Sequence, residues 1–581
     1  MAKIKTLPNN IVQLIAAGEV IDSLGAVVRE LAENAIDANA TRISIEIYPN
    51  LWKIRVVDNG CGMDCADLEL CATPHSTSKI GDRQDLAKIT SLGFRGEALY
   101  SIAQVANLSI ASCTADAVGY ILNAHQDNIS TAIPYPMSTG SIVIVENLFA
   151  NFPVRRQALP SLTQQLKSIQ KIIYNLALCY PQITWKITQD NHPWLEISEG
   201  KNALDILPQL LKSITPNDLI YREFCHGELD LLPEKSSVEL VMGLPDRCHR
   251  HQPDWLKVAV NHRVVKFPIL ENTIIKAFFR TLPRDRHPVC FIHLHVPLEQ
   301  IDWHRHPAKS EIYLQHQDQW QQIIQEAIAK SLQLSEANLP KLANQRVLNL
   351  IQVAEQKSEY LLNKEVVNSQ KKAKETIQEI TQKNIQQTSA LIPKLAILKI
   401  IGQSRNTYIL VEHNTGIWLV EQHIAEERAI YEELQTAWQI VAAPVPIILD
   451  HLTPKQLEQL TENLGLNIEN FGENLWKINT IPAALVDSLE LKQTLLELAD
   501  GGDLATAQAA IACRHAVKNG TPLTQVQMVD IIQRWQQTKN PHTCPHGRPI
   551  FLSLEETSLY RFFRRHWVLG KSHGITEKPT P

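Results

Sequence analysis

The segment RELAENAIDANA, residues 29–40, places Glu30, Glu33, Asn34 and Asp37 at i, i+3, i+4 and i+7, so on a helix three carboxylates and an amide share one face. Such a face is either solvated, with Val27, Leu31 and Ile36 forming the buried stripe opposite, or one wall of a site that activates water and holds a cation. DNGCGM (58–63) follows the strand-like IRVVD, which puts Asp58 at a strand end before a turn that Gly60 and Gly62 can make at positive φ. A carboxylate there can accept a hydrogen bond from an exocyclic amine such as that of adenine. HSTSKI (75–80) and SLGFRGEAL (91–99) add hydroxyls, a lysine and a glycine-rich turn opening a helix, whose backbone N–H groups can cradle phosphate. Each stretch alone is weak evidence.

A second set lies toward the other end. EQHIAEERAIYE (421–432) holds four carboxylates, a histidine and an arginine, and reads as an ordinary solvated helix or as one wall of a metal site. His423 and Glu427 stand at i, i+4 and share a face. The ten cysteines are scattered, as expected of reduced thiols rather than a disulfide framework, and only Cys513 and Cys544 have neighbours suggesting more.

At 581 residues the chain exceeds one hydrophobic core and should divide into roughly three or four domains. Hydrophobic residues at 44%, charged residues at 20% and a net charge of -5 fit a soluble globular protein and give no global basic field, although nucleic acid needs only a local basic groove. The N-terminus lacks the apolar run of roughly 7–15 residues of a secretory signal, and no stretch approaches the ~18 apolar residues of a membrane span, so a cytoplasmic protein without membrane contact is expected. Strand-like alternation at 42–49, 52–58, 108–112 and 141–149 interleaves with helical patterns at 25–38 and 162–179. A second set of strands surrounds a helical pattern at 269–282, and two or three strands around Asn414-Thr415-Gly416 lead into EQHIAEERAIYE. Between these sets, a Gln, Lys, Glu and Thr-rich stretch reads as a linker. The expected fold class is α+β, multidomain.

The order and spacing of the N-terminal motifs resemble the ATPase fold shared by the gyrase, heat-shock chaperone, histidine-kinase and MutL families. Within that group IAAGEVI, ATRISIEI, HSTSKI, GFRGEAL and LFANFPVRR (148–156) resemble the MutL family of mismatch repair proteins over the first 330 residues. The resemblance implies an ATPase domain of Bergerat type at 1–212, a second domain resembling ribosomal protein S5 at 213–332, a linker at 333–394 and a C-terminal dimerisation domain at 395–581. Carried over by motif, Glu30 is the general base, and Asn34 completes the shell of Mg²⁺, which takes few protein ligands. Asp58, with Gly62 and Ser141, receives adenine; Thr77, Lys79 and the segment Gly93, Phe94, Arg95, Gly96, Glu97, Ala98 and Leu99 form a lid on the phosphates of ATP. Lys309 in HPAK (306–309) reaches the γ-phosphate from the second domain. The chain departs from the family pattern at Ser141, where threonine is usual, and at His304 and Arg305; the serine keeps the hydroxyl, and the latter pair put domain coupling in doubt. Arg155, Arg156, Arg263 and Lys266 match basic positions that line a DNA groove, acting through phosphates and so without sequence preference.

The C-terminal region also resembles the family. EQHIAEERAIYE is similar to its endonuclease motif, and ACRHAVKNG (512–520) and CPHGRP (544–549) to the two cysteine-bearing motifs that accompany it. The resemblance implies a metal site of His423, Glu427, Cys513, Cys544 and His546, a mixed donor set that suits Zn²⁺ or Mn²⁺ with thiolate favouring zinc, and a catalytic part for Glu421, which stands where the motif has aspartate. The expected function is an ATP-driven homodimeric switch that nicks double-stranded DNA during mismatch repair, with a mismatch-recognition partner of the MutS type. A sliding clamp is a further expected partner, although the spacing from Gln439 to Pro444 fits its motif poorly. The alternative is an ATP-regulated matchmaker without a nuclease. A gyrase-like or chaperone ATPase predicts neither LFANFPVRR nor CPHGRP.

Overall fold

The computed structural model describes Leu14, Ala17, Gly18 and residues 20–79, 91–93, 96–115, 117–126, 128–302, 312–333, 398–413, 416–486, 488 and 491–555. The chain divides into two compact units, one of residues 1–243, 252–277 and 288–328, the other of 244–251, 278–287 and 329–581.

The first unit opens on the helix Leu24–Asp37. The Ser23 hydroxyl caps its start by accepting the Ala26 N–H at 3.2 Å, and its end is marked by Asn39 in the left-handed region. Leu24, Val27, Val28, Leu31, Ala35 and Ile36 recur at helical spacing and are buried, which leaves Glu30, Asn34 and Asp37 on a half-exposed face. A nine-stranded sheet lies beneath. Asn107–Cys113, Gly140–Glu146, Lys53–Asp58 and Arg42–Tyr48 pair antiparallel in that order, and Thr184–Gln189 joins Arg42–Tyr48 in parallel. In Arg42–Tyr48 alternate residues Ile43, Ile45 and Ile47 are fully buried, the period-2 pattern the sequence carries. The helix Leu162–Cys179 begins with a capping box between Ser161 and Gln164.

A second, five-stranded sheet follows in the same unit, built from Leu219–Phe224, Ser237–Gly243, Cys290–His295, Leu256–Val260 and Arg263–Val265 in spatial order. The expected helix at 269–282 is shorter, Pro268–Ala277; Arg280 at positive φ follows, a conformation helices do not propagate.

In the other unit, strands Lys399–Ser404, Tyr408–His413, Gly416–Glu421 and Phe551–Glu555 form one sheet. Its core gathers Ile409, Val411, Trp418, Val420, Ile531, Ile532, Trp535 and Phe551. Ile440–Asp450, Leu475–Pro482 and Ile468–Gly472 form a second sheet, with its own core of Leu449, Leu460, Ile478, Ile481, Leu495 and Ile511. Among the described residues no helix is long and apolar enough to cross a membrane. Residues 334–397, which include the expected linker from 334 to 394, lie outside those described.

Candidate functional site

The carboxylate face of Leu24–Asp37 borders a cavity of about 670 Å³, a size suited to a small-molecule ligand. Glu30, Asn34, Asp58, Gly62, Thr77, Lys79, Gly93, Gly96, Glu97, Ala98, Leu99 and Ser141 all line it. Phe94, Arg95 and Lys309 fall outside the described residues.

One rung of the sheet forms the adenine-facing candidate: Asp58 stands opposite Ser141, and Ser141 opposite Ser112. The serine hydroxyls lie 2.9 Å apart, Ser112 Oγ accepts the Met63 N–H at 2.8 Å, and Asp58 Oδ1 accepts the Gly60 N–H at 2.9 Å. Burial raises the Asp58 carboxyl above its ordinary pKa, against the lowering effect of the Gly60 and Ser141 N–H groups. Gly62 has φ +71, and a Cβ there would collide with the Cys113 carbonyl, so the turn at Asp58 admits only glycine at this point.

At the other end of the cavity Asp37 organises the candidate lid. Its carboxylate accepts the N–H groups of Leu92 at 2.9 Å and Gly93 at 3.0 Å and meets Lys79 Nζ at 2.5 Å. The same ammonium donates to Asn34 Oδ1 at 3.1 Å. Thr77 Oγ1 accepts the Lys79 N–H at 3.1 Å, and Glu30 is paired with Arg29 at 3.1 Å. Sequence reasoning gave Asp37 no task, although its place one turn beyond Asn34 on the same face was the available signal.

Arg263 also lines this cavity, where its guanidinium pairs with Glu33 at 3.1 Å and donates to the Leu92 carbonyl. This differs from the DNA groove expected of it: the side chain is enclosed by the edge of the cavity, and 230 residues of sequence separation hid its partner. Arg155 donates to the Gly18 carbonyl and lies over the Phe149 ring, and Arg156 lies over Trp52 at 4.3 Å. Lys266 is exposed.

In the other unit EQHIAEERAIYE forms the start of the helix Gln422–Thr436, and its four carboxylates take four different positions. Glu421 is the N-cap, its Oε2 accepting the Ile424 N–H at 2.5 Å. Glu426 accepts the Val517 N–H at 2.6 Å, and Glu432 the N–H groups of Lys539 at 2.6 Å and Asn540 at 3.1 Å. Glu427 alone turns toward the cysteines. Its Oε1 is buried without a well-oriented hydrogen bond and faces His546 Nδ1 at 2.7 Å. It belongs to two sets of donor atoms, each within 4.8 Å of one another: His423, Glu427 and Cys513, and Glu427, Cys544 and His546. The five expected ligands thus fall into two sets joined through Glu427, and among the described residues Glu421 belongs to neither set.

The surroundings suit a cation. His423 Nδ1 lies 3.0 Å from the Val517 carbonyl, which fixes it as donor and leaves Nε2 toward Cys513 Sγ, 3.7 Å away. Cys544 is wholly buried, and burial raises the Cys513 thiol above its ordinary pKa. His546 donates its backbone N–H to Cys544 Sγ at 3.3 Å, and Cys544 followed by Glu427 pushes its imidazole up to about 9. Gln422, fully buried, ties the surrounding loops by donating to the Asn406, Lys518 and Thr521 carbonyls. Gln439–Pro444 lies mostly in the strand Ile440–Asp450, whose register breaks between Ala442 and Ile447 and whose Val445 is 72% exposed.

Three family models match the chain. One described as "Histidine kinase-, DNA gyrase B-, and HSP90-like ATPase" matches residues 22–142, "DNA mismatch repair protein, C-terminal domain" matches 224–333, and "MutL C terminal dimerisation domain" matches 401–523. A protein of Microcystis aeruginosa named DNA mismatch repair protein MutL is 54% identical over 98% of this chain and 99% of its own length. Namesakes from Rippkaea orientalis and Staphylococcus carnosus are 51% and 26% identical, covering 98% and 97% of this chain and 99% and 100% of theirs. With an ATPase domain at one end and a dimerisation domain toward the other, the chain belongs to the MutL family of DNA mismatch repair proteins.

Proposed function

We propose that the chain is an ATP-driven homodimeric switch in cytoplasmic DNA mismatch repair, and that its C-terminal metal centre nicks double-stranded DNA. The observation that carries the first part is the single cavity joining the Glu30 and Asn34 face, the Asp58–Ser141 rung and the Asp37-anchored segment. Asp58 accepts the adenine amine and Ser141 stands beside it. Lys79, Thr77 and the backbone of Gly93 and 96–99 receive the phosphates, and Glu30 takes the proton of the attacking water. Asn34 Oδ1 would hold Mg²⁺, which supplies charge neutralisation on the phosphates. Lys309 reaches the γ-phosphate when the second domain closes. Closure on ATP and reopening after hydrolysis make the product a conformation rather than a chemical one.

His423, Glu427, Cys513, Cys544 and His546 would hold Zn²⁺ or Mn²⁺, which supplies an activated water and charge stabilisation at phosphate. The buried Glu427 carboxylate, facing His546 and common to two donor sets, supports this part. DNA bound through its phosphates, a mismatch-recognition protein of the MutS type and a second copy of the chain are the partners this requires. A clamp at Gln439–Pro444 rests on position alone. One observation favours the matchmaker reading, in which metal is bound without cutting: the Glu421 carboxylate caps its own helix.

Glu30→Ala tests the ATPase assignment. ATP binding is retained and turnover falls by about 10²–10⁴-fold, the range for a general base. Unchanged turnover removes Glu30 from that role.

A further inference from the structure

Three histidines that belong to neither site converge on the second sheet. His293 and His295 are two residues apart on Cys290–His295 and so share a face, with His293 opposite Glu239 of Ser237–Gly243. His262 is the second residue of the two-residue turn that joins Leu256–Val260 to Arg263–Val265, where Asn261 and His262 take φ of 43 and 66. The turn is pinned in place: Asn261 Nδ2 donates to the Val296 carbonyl and its Oδ1 accepts the Val296 N–H, both at 2.8 Å. Each histidine offers a ring nitrogen within 4.8 Å of the other two.

We propose that His262, His293 and His295 hold a divalent transition-metal ion of the zinc class, with Glu239 fixing the His295 ring. Two of the three rings have a nitrogen set for it. His295 Nε2 lies 2.7 Å from Glu239 Oε1 and His262 Nδ1 lies 3.3 Å from the Cys179 carbonyl, so each donates through one nitrogen and keeps a lone pair on the other, as metal-bound histidines do. His293 Nε2 accepts the His262 N–H at 2.9 Å, and the ion takes that place, leaving the N–H of an exposed turn to water. Three imidazoles around one zinc at ~2 Å bonds and tetrahedral angles have ring centres on the order of 5 Å apart. Here His262 lies 4.7 Å from His293 and 5.2 Å from His295, with His293 and His295 closer at 4.0 Å. His293 is 2% exposed whereas His262 is open to solvent, so the cluster has a closed side and an open one. Imidazole donors without sulfur suit zinc, cobalt and nickel over magnesium or calcium. The ion would brace the hairpin whose next residue, Arg263, reaches the nucleotide cavity.

Co²⁺ alone is the probe, added to the full chain carrying Cys513→Ser and Cys544→Ser so that neither sulfur of the C-terminal donor sets contributes. One equivalent with ligand-field absorption and no thiolate charge transfer is expected, and it is lost in both His262→Asn and His295→Gln. His262→Asn keeps a residue that tolerates positive φ, so the turn survives. In the parent chain the same His262→Asn change lowers zinc content by one equivalent while the cysteine-dependent zinc remains. Metal uptake that survives either histidine substitution in the chain carrying Cys513→Ser and Cys544→Ser, or zinc content unchanged by His262→Asn in the parent, overturns the site.

Discussion

Arg263 Nη2 lies 3.1 Å from Glu33 Oε2, and the same guanidinium donates to the Leu92 carbonyl, so one side chain of the second sheet touches both the Leu24–Asp37 helix and the edge of the lid segment. Both partners are largely buried, at 11% and 8% side-chain exposure. Breaking such a pair leaves a charge without its main counter-charge, which is worse than never having had it. Arg263→Ala should therefore destabilise the first unit by about 3 kcal/mol, and Arg263→Met combined with Glu33→Leu should recover most of that. Urea denaturation of the three chains checks it; a double variant no more stable than the single one contradicts the pairing.

Asp37 holds the proposed lid by two N–H bonds, from Leu92 and Gly93, and by Lys79. Hydrogen bonds to a charged acceptor contribute about 1.5–3 kcal/mol each, so losing a fraction of this from the ATP-bound lid raises KM for ATP at least tenfold, tenfold being ~1.4 kcal/mol. Asp37→Ala should show this in steady-state ATPase assays, with Glu30 still in place. A KM equal to that of the parent would mean that the lid does not depend on Asp37.

The pH dependence of Asp58 runs opposite to that of a salt-bridged carboxylate. Its folded pKa is raised by burial above the unfolded value of ~3.9, so its stabilising contribution is present below that value and is lost as pH rises through the folded pKa. Asp58→Asn should make the ATP-free protein more stable than the parent at pH 7, and the difference should vanish as pH falls toward about 4. Differential scanning calorimetry over this range reads the sign directly. Asp58→Ala should in addition abolish nucleotide binding, because the proposed acceptor of the adenine amine is gone.

Much of this was written in the sequence, and what was missing follows a physical rule. The strand Arg42–Tyr48 and the helix Leu162–Cys179 were readable because burial imposes a local period of 2 or 3.6 on the residue pattern. The tasks of Glu426 and Glu432 were not, because neither has a visible partner until the loops at Val517 and Lys539 return to the helix. Arg263 was misplaced for the same reason: its partner Glu33 is fixed by the packing of two sheets and their helices, which leaves no short-range signal.

The C-terminal centre should couple metal to stability. A ligand at 100 times its Kd stabilises the folded state by about 2.7 kcal/mol, so saturating Zn²⁺ should raise the Tm of the C-terminal transition. Chelation should reverse the rise, and Glu427→Ala, which removes the donor common to both sets, should abolish it. A Zn²⁺-induced rise of equal size in Glu427→Ala would place the ion elsewhere.

Nicking of supercoiled plasmid by the purified full chain with Mn²⁺, with and without ATP, tests the combined switch and nuclease most directly. The account predicts ATP-modulated conversion to nicked circle by the parent, lost in Glu427→Ala, with Glu421→Asp at least as active as the parent. No nicked circle from the parent, or equal nicking by Glu427→Ala, would contradict it and leave the matchmaker.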